Sequence, residues 1–569
     1  MSKNHPHQAA NQTAVVDPKT EAEEALHKAF LLHQQGQLAQ AQSLYEQVLL
    51  AEPNHFDALH LAGIAASQCG QLQVAIDLIS KAISVNPNNA TAYANLGLAL
   101  QNLHRYEEAL ANYDLSLLID PENAFVFYNL GNILYTLERY AEAVISYERA
   151  LQIDPDYVAA LNNYGVVLHQ IRRFDEALAS YQQALHIASD NTGALYNRAN
   201  TLNALSRPEE ALASFDQVLL LLPDNAEVLN NRGNTLRALN RLEEAQASLN
   251  RAISVAPDYA DAHWNLSLCK LLAGDLDAAW QEYEWRWRSE LQNDKRQFIQ
   301  PLWLGEESLH NKTILLHAEQ GFGDTLQFCR YVALVQTLGA NVLLEVQPEL
   351  KRLLKGGLGE IATVYAKGEA MPEFDFQCPL MSLPLAFRTN LTSIPAKNAY
   401  LFSNKQRVAI WQKKLGTRTR PRVGVVWSGR VEHKNDSNRS IPLNEFAQLV
   451  NGKADFFALQ KEIQPADKLL LKEHDGLIRH HFKIEDFADT AALIEFMDIV
   501  ITVDTAVAHL AAAMGKTVWI LLPFSPDWRW LLEREDSPWY ASVRLFRQPA
   551  IGDWRDVIER VDIALQSFF

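Results

Sequence analysis

Small, apolar and aromatic positions recur along the first half of the chain with a fixed step. From Gly63, steps of 34 residues land on Gly97, Gly131, Gly165, Ala199, Gly233 and Ser267, and one step back lands on Ala29. Twelve residues beyond each of these stands an alanine, from Ala41 to Ala279. Sixteen beyond stands an aromatic in most units (Tyr45, Tyr113, Tyr147, Tyr181, Phe215, Tyr283), and twenty-four beyond a proline (Pro53, Pro87, Pro121, Pro155, Pro223, Pro257). Small residues let two antiparallel helices approach, an aromatic fills the gap to the next pair, and proline ends the second helix. The pattern predicts eight helix–turn–helix units over 22–293, preceded by a polar, disordered tail at 1–21. A polar link at 294–312 follows, and the periodicity then changes to strand–helix alternation. Strands are expected at 313–317, 341–346, 362–366 and 374–379, and a second set at 422–429, 455–460, 498–504, 517–523 and 542–546. Two such sets imply two Rossmann-like lobes, over 313–402 and 403–569, with a cleft between strand ends.

The 34-residue period with this residue pattern resembles the tetratricopeptide repeat (TPR). The resemblance implies an α-superhelix whose long groove binds protein segments. Two residues before the small position stand Asn95, Asn129, Asn163, Asn197, Asn231 and Asn265, on the first helix of each pair. A carboxamide both donates and accepts, so such a ladder can track a peptide backbone of any sequence. The ladder is similar to that of TPR-containing O-linked N-acetylglucosamine transferases. Asparagine is also common at this register in ordinary TPR units, and both readings stand at this point.

Two segments of the second half carry candidate chemistry. The first is HAEQGFGDTLQF (317–328), a strand, a glycine turn at Gly321 and Gly323, and a helix. It fits a dinucleotide fingerprint in its first two glycines, with Glu345 near the position of a ribose acid, but Leu326 stands at the third. It equally fits a structural turn capped by Asp324, or a catalytic turn with Asp324 as general base. The second is VDTAVAHLAAAMGKTVWILLPFSPDWRW (503–530). A strand ending at Asp504 and a helix starting near Thr505, lined by Ala506, Ala508 and Ala511, leave free N–H groups and room for a diphosphate. His509, four residues on, can add a donor. Asp504 as a cap and His509 as a packed core residue is the plainer alternative. Trp528 and Trp530 either stack on a base or close the core.

Composition narrows the class. The chain of 569 residues is 48% hydrophobic and 21% charged, ordinary for globular proteins. The sequence has no run long and apolar enough for a membrane span and no apolar N-terminal core for a signal peptide. Four scattered cysteines form no zinc or disulfide pattern, which points to a reducing, cytoplasmic setting. Of the net charge of -17, nearly all lies in residues 1–300, with 20 Lys+Arg against 36 Asp+Glu. That imbalance opposes nucleic-acid binding.

The DTAVAHLAAA segment resembles the matching motif of bacterial heptosyltransferase-type glycosyltransferases, glycosyltransferase family nine. Gly323-Asp324 resembles that family's N-terminal Gly-Asp turn, and WSGRVEHKNDSNRSIPLNEF (427–446) stands where the family has a basic residue before Trp-Pro. Here those positions are Arg439 and Ile441-Pro442, a departure that leaves donor sugar and nucleotide open. The resemblance covers about 310–569 and implies a GT-B, inverting, metal-independent transferase with no cofactor. A nucleotide-sugar donor would bind the second lobe through Gly429, Arg439, Asp504, Thr505, Ala506 and His509. Lys461 would neutralise the leaving group, and Asp324 would deprotonate an acceptor hydroxyl. The expected acceptor is a protein held in the TPR groove. The alternatives are a glycan or lipid-linked acceptor with the repeats docking a partner, or a scaffold with an inactive transferase domain.

Overall fold

The computed structural model describes residues 18–569 apart from 396–398, 431–434, 451, 474–475 and 480–482. The expected tail lies outside the described residues up to 17, and a helix already starts at Pro18. The chain divides into two compact units, residues up to Leu221 and Leu222–Phe569. The first contains six helix pairs, from Pro18–Gln34 and Leu38–Ala51 to Thr192–Ala204 and Pro208–Leu221. The second begins with two further pairs, Ala226–Ala238 with Leu242–Val255 and Ala260–Leu272 with Leu276–Tyr283. Sixteen repeat helices are therefore present, as the period predicts. No described helix is long and apolar enough to cross a membrane.

Packing explains the small register. A Cβ on Gly97, Gly131 or Gly165 would lie 2.5–2.7 Å from the ring of Tyr113, Tyr147 or Tyr181, sixteen residues on. Where the aromatic is missing, Ile79 faces Gly63 and Leu249 faces Gly233 at 2.5 and 2.6 Å. Asparagine caps start several first helices: the Asn89, Asn123, Asn191 and Asn225 side chains accept from the N–H three residues on. Between the helices of each pair one residue is left-handed, again every 34 residues: Gly36, Gly70, His104, Glu138, Arg172, Ser206, Asn240 and Gly274.

The second unit continues into two parallel sheets. The first contains β1 (Thr313–His317), β2 (Asn341–Val346), β3 (Thr363–Ala366) and β4 (Phe376–Pro379), in the order β3-β2-β1-β4. The second contains β5 (Arg422–Val426), β6 (Asp455–Ala458), β7 (Leu477–Arg479), β8 (Ile499–Val503), β9 (Val518–Leu522) and β10 (Val543–Arg547), in the order β10-β9-β8-β5-β6-β7. Winding reverses between β1 and β4 and between β5 and β8, the positions at which open parallel sheets bind ligands. The short β7 was absent from the sequence expectation; three residues among polar neighbours give no alternation to read.

The expected link is part of the first sheet's packing. Ile314, Leu316, Val342 and Leu344 enter a core shared with Leu326, Val332, Leu350 and Leu354 of the following helices. On the opposite face, His317 pairs in register with Glu345. Arg296 forms an ion pair with Glu345, and the Phe298 ring lies 5.1 Å from that of His317. Further along, Trp303 N–H donates to the Gln377 carbonyl and Leu302 bridges Gln377 in parallel. The last repeat is likewise built in: Trp264, Leu272, Trp280 and Tyr283 belong to the same core as both sheets.

Candidate functional site

The two motifs singled out by sequence meet face to face. The helix Phe322–Phe328 starts after Gly321, and Asp324 in its first turn accepts from the Gly321 N–H at 2.8 Å. Opposite, Thr505 precedes the helix Ala506–Ala513 and its hydroxyl lies 3.2 Å from that of Thr502. A Cβ on Gly323 would lie 2.9 Å from His509 Cδ2 and 3.8 Å from Ala506 Cα. Only glycine allows so close an approach, so the two helix N-termini share one seam.

A guanidinium absent from the sequence expectation organises the seam. Arg529, on a single 3-10 turn at Trp528–Trp530, donates from Nη2 to Asp324, from Nη1 to Asp527 at 2.9 Å and from Nε to Gln327 at 2.6 Å. Its side chain is 8% exposed. Asp324 remains partly open, and burial still raises its pKa although Arg529 pulls it down. Asp504 is raised as well, first by burial and then by the Asp527 carboxylate, while Arg439 opposes. His509 is driven down to about 3, first by burial and then by Arg529, so it is neutral near pH 7. His509 Nδ1 sits 2.9 Å from the Tyr540 hydroxyl, and its ring stacks on Trp530.

Gly429 and Arg439 belong to the same end of the second sheet. Arg439 Nη1 donates to the Asp504 carbonyl at 3.0 Å, and a Cβ on Gly429 would lie 2.5 Å from Arg439 Nη2. The buried Nε2 of Gln327 lacks a hydrogen-bond acceptor, whereas Arg439 Nε lies 3.6 Å from Asp436 Oδ1 and the Trp530 side chain donates towards the Asp504 carboxylate. The free backbone N–H groups of the helix N-terminus favour an anion. Lys461 stands apart: it is exposed and its Nζ donates to the Glu485 carbonyl at 2.8 Å. Trp528 and Trp530 are both core residues. Glu345 is no ribose ligand here, since Arg296 closes on it.

Two more buried cations surround the site. Arg330 donates to the Trp539 carbonyl and the Tyr400 hydroxyl, both at 2.9 Å, and ties the Phe322 helix to the second sheet's side. Arg286, from the Trp/Arg-rich end of the repeats, pairs with Glu319 at 3.0 Å. Burial lifts Glu319 to about 7 against that pairing. Trp280 donates from Nε1 to the Thr389 carbonyl at 2.7 Å, and Trp285 stacks on His263 at 3.9 Å. Trp287 lies beneath the Arg286 guanidinium, 4.7 Å from ring centre to Cζ.

The asparagine register takes part in the array's own hydrogen bonding. In the first unit, Asn95 Nδ2 pairs with His60 Nε2 at 3.0 Å, Asn163 Nδ2 with the Tyr128 hydroxyl at 3.3 Å, and Asn197 Nδ2 with Asn162 Oδ1 at 3.0 Å. In the second, Asn265 Nδ2 donates to Asn230 Oδ1 at 2.9 Å. Each partner lies 35 residues back, in the preceding repeat. Asn129 donates within its own helix to the Phe125 carbonyl, and Asn231 Oδ1 accepts from Asn230. Four of the six amides therefore link their repeat to the preceding one.

The first half of the chain is a tetratricopeptide repeat array. Tetratricopeptide repeat family models match residues 32–100, 88–156, 122–190 and 190–258. The protein FlbA of Caulobacter vibrioides is 27% identical over 324 residues, 52% of this chain and 54% of its own length. The chain thus spans about half of that curated relative. Among solved structures, the repeats are similar to YrrB, a TPR protein with an unusual peptide-binding site, at 30% identity over 32% of this chain and 95% of that one, with a TM-score of 0.30. A tetratricopeptide repeat protein of Parabacteroides merdae matches at 20% identity over 44% of this chain and 99% of its own, with a TM-score of 0.35.

Proposed function

We propose that the sheet-bearing part of the chain is a GT-B glycosyltransferase with two Rossmann-like lobes, moving a sugar from a nucleotide-sugar to an acceptor hydroxyl with inversion. The observation that carries the reading is the seam, where Asp324 of one sheet faces the helix N-terminus after Asp504 of the other. The donor diphosphate would occupy the Ala506 helix N-terminus, beside Thr505, with Arg439 and Trp530 turning from Asp436 and Asp504 to donate to it. Gly323 covers that position, so donor entry parts the seam. Asp324, with its pKa raised by burial, would accept the hydroxyl proton as the acceptor oxygen attacks the anomeric carbon and the nucleoside diphosphate leaves. Fixed donors around the leaving phosphates would stabilise the charge that develops there. Lys461, tied to Glu485, has no part in this scheme.

The repeats support a protein acceptor, since such arrays hold polypeptide segments. The test is a thermal-shift screen of UDP-, GDP-, ADP-, CMP- and dTDP-sugars against the full chain and Asp324→Asn. The expected result is one donor that stabilises both, with transfer lost at least about 100-fold in Asp324→Asn, the low end for a general base. Donor binding with equal turnover in the two chains would remove Asp324 from the mechanism. No stabilisation by any donor would favour a scaffold.

A further inference from the structure

We propose that the cavity where the last two repeats meet both sheets selects a basic, apolar segment of a polypeptide acceptor. The word acceptor rests on the transferase reading above; the selectivity is argued from the cavity itself. Its volume is about 750 Å³, enough for one or two side chains and far too small for a folded partner. Five leucines line it, Leu242, Leu272, Leu391, Leu531 and Leu532, drawn from the last two repeats and from both sides of the seam.

Charge defines what the rim accepts. Arg241 closes on Glu244 and Arg534 on Asp536, each through two short hydrogen bonds. Glu243 and Glu533 also line the cavity, are exposed, and have no cation partner among the described residues. Two uncompensated carboxylates above an apolar floor fit a Lys or Arg beside a leucine-like residue, with the long stem on the leucines and the head at the rim.

The backbone of the same wall is strained. Leu531 and Glu533 have φ of 52° and 55°. A bulky side chain in the left-handed region is a genuine outlier, and such residues concentrate at ligand clamps and switches. Two positions upstream lies Arg529, which holds Asp324. A side chain seated on Leu531 therefore bears on the residue that positions the carboxylate.

The test uses the full chain and fluorescein-labelled peptides read by anisotropy: Gly-Leu-Lys-Leu-Lys-Gly, its Leu-Glu counterpart and its Ser-Lys counterpart. Only the Leu-Lys peptide should bind. Glu243→Lys with Glu533→Lys should weaken it about tenfold or more, as reversing two rim charges would. Ala273→Trp, which narrows the cavity mouth, should weaken it as well. The charge-matched control Glu122→Lys with Asp190→Lys, on exposed repeat positions, should leave it unchanged. Binding of the Ser-Lys peptide as tight as that of the Leu-Lys peptide, insensitivity to the cavity variants, or no binding of any peptide would overturn the proposal. Selective peptide binding by a chain that transfers no sugar would refute the transferase reading and leave the cavity's selectivity standing.

Discussion

The repeat array and the seam between the sheets use charge in opposite ways. In the array, pairs such as Arg139–Glu142 and Arg173–Glu176 recur at three-residue spacing, with about half of each side chain in water. Such pairs add little stability. At the seam, Arg529, Arg330 and Arg286 are nearly or fully buried, and Arg529 and Arg286 hold carboxylates far away in sequence. Burying ions is costly unless their partners are complete, so a chain that keeps them at one place is using them for something other than stability. The array spends its design on local repetition, the seam on a fixed arrangement of charge.

The contrast can be broken at Arg529. Arg529→Leu strands Asp324 and Asp527, and should destabilise the second unit by about 3–5 kcal/mol in urea titrations. Arg139→Ala should leave the denaturation midpoint where it was. A smaller effect sharpens the other side. Gly165→Val drives a branched side chain into the Tyr181 ring, and should cost about 1–3 kcal/mol. Its loss of hydrogen-exchange protection should stay within the first unit. The last effect is read as a slope against pH. His509 titrates near 3 when folded and near its ordinary value when unfolded, so between these the unfolded chain binds the extra proton. Stability from this group is complete above about 6.5 and falls on acidification, by at most about 1.4 kcal/mol per pH unit. His509→Phe should flatten that part of the curve between pH 6.5 and 4.5, and an unchanged slope would show that the ring is not held neutral.

Legibility follows the same division. The array was open to reading because one rule repeats every 34 residues, and the strands because apolar runs mark them. Less visible was the left-handed turn position, which keeps the same step but is glycine only at Gly36, Gly70 and Gly274. Asp324, Asp504, Thr505 and His509 could be found because each sits where a strand ends and a helix begins. Arg529 could not: in DWRW the tryptophans draw attention, and the value of the arginine depends on Asp324, 205 residues away. Lys461 shows the reverse case, a suitable residue type at a strand end whose side chain turns to a backbone carbonyl. The asparagine ladder was correctly seen as a register, but its partners lie a full repeat away, and hydrogen bonding between neighbours carries no mark in composition.

The division at Leu222 also sets how this molecule can be shortened, lengthened or recombined. The last repeat shares a core with both sheets, and residues 296–303 pack on the first sheet's face and edge. A cut at the apparent start of the strands would therefore sever a shared core. Ahead of Leu222 each 34-residue unit contacts chiefly its neighbours, so the array is a modular stretch whose length can be chosen by an engineer, whereas the sheets, the link and the last repeat must be kept together.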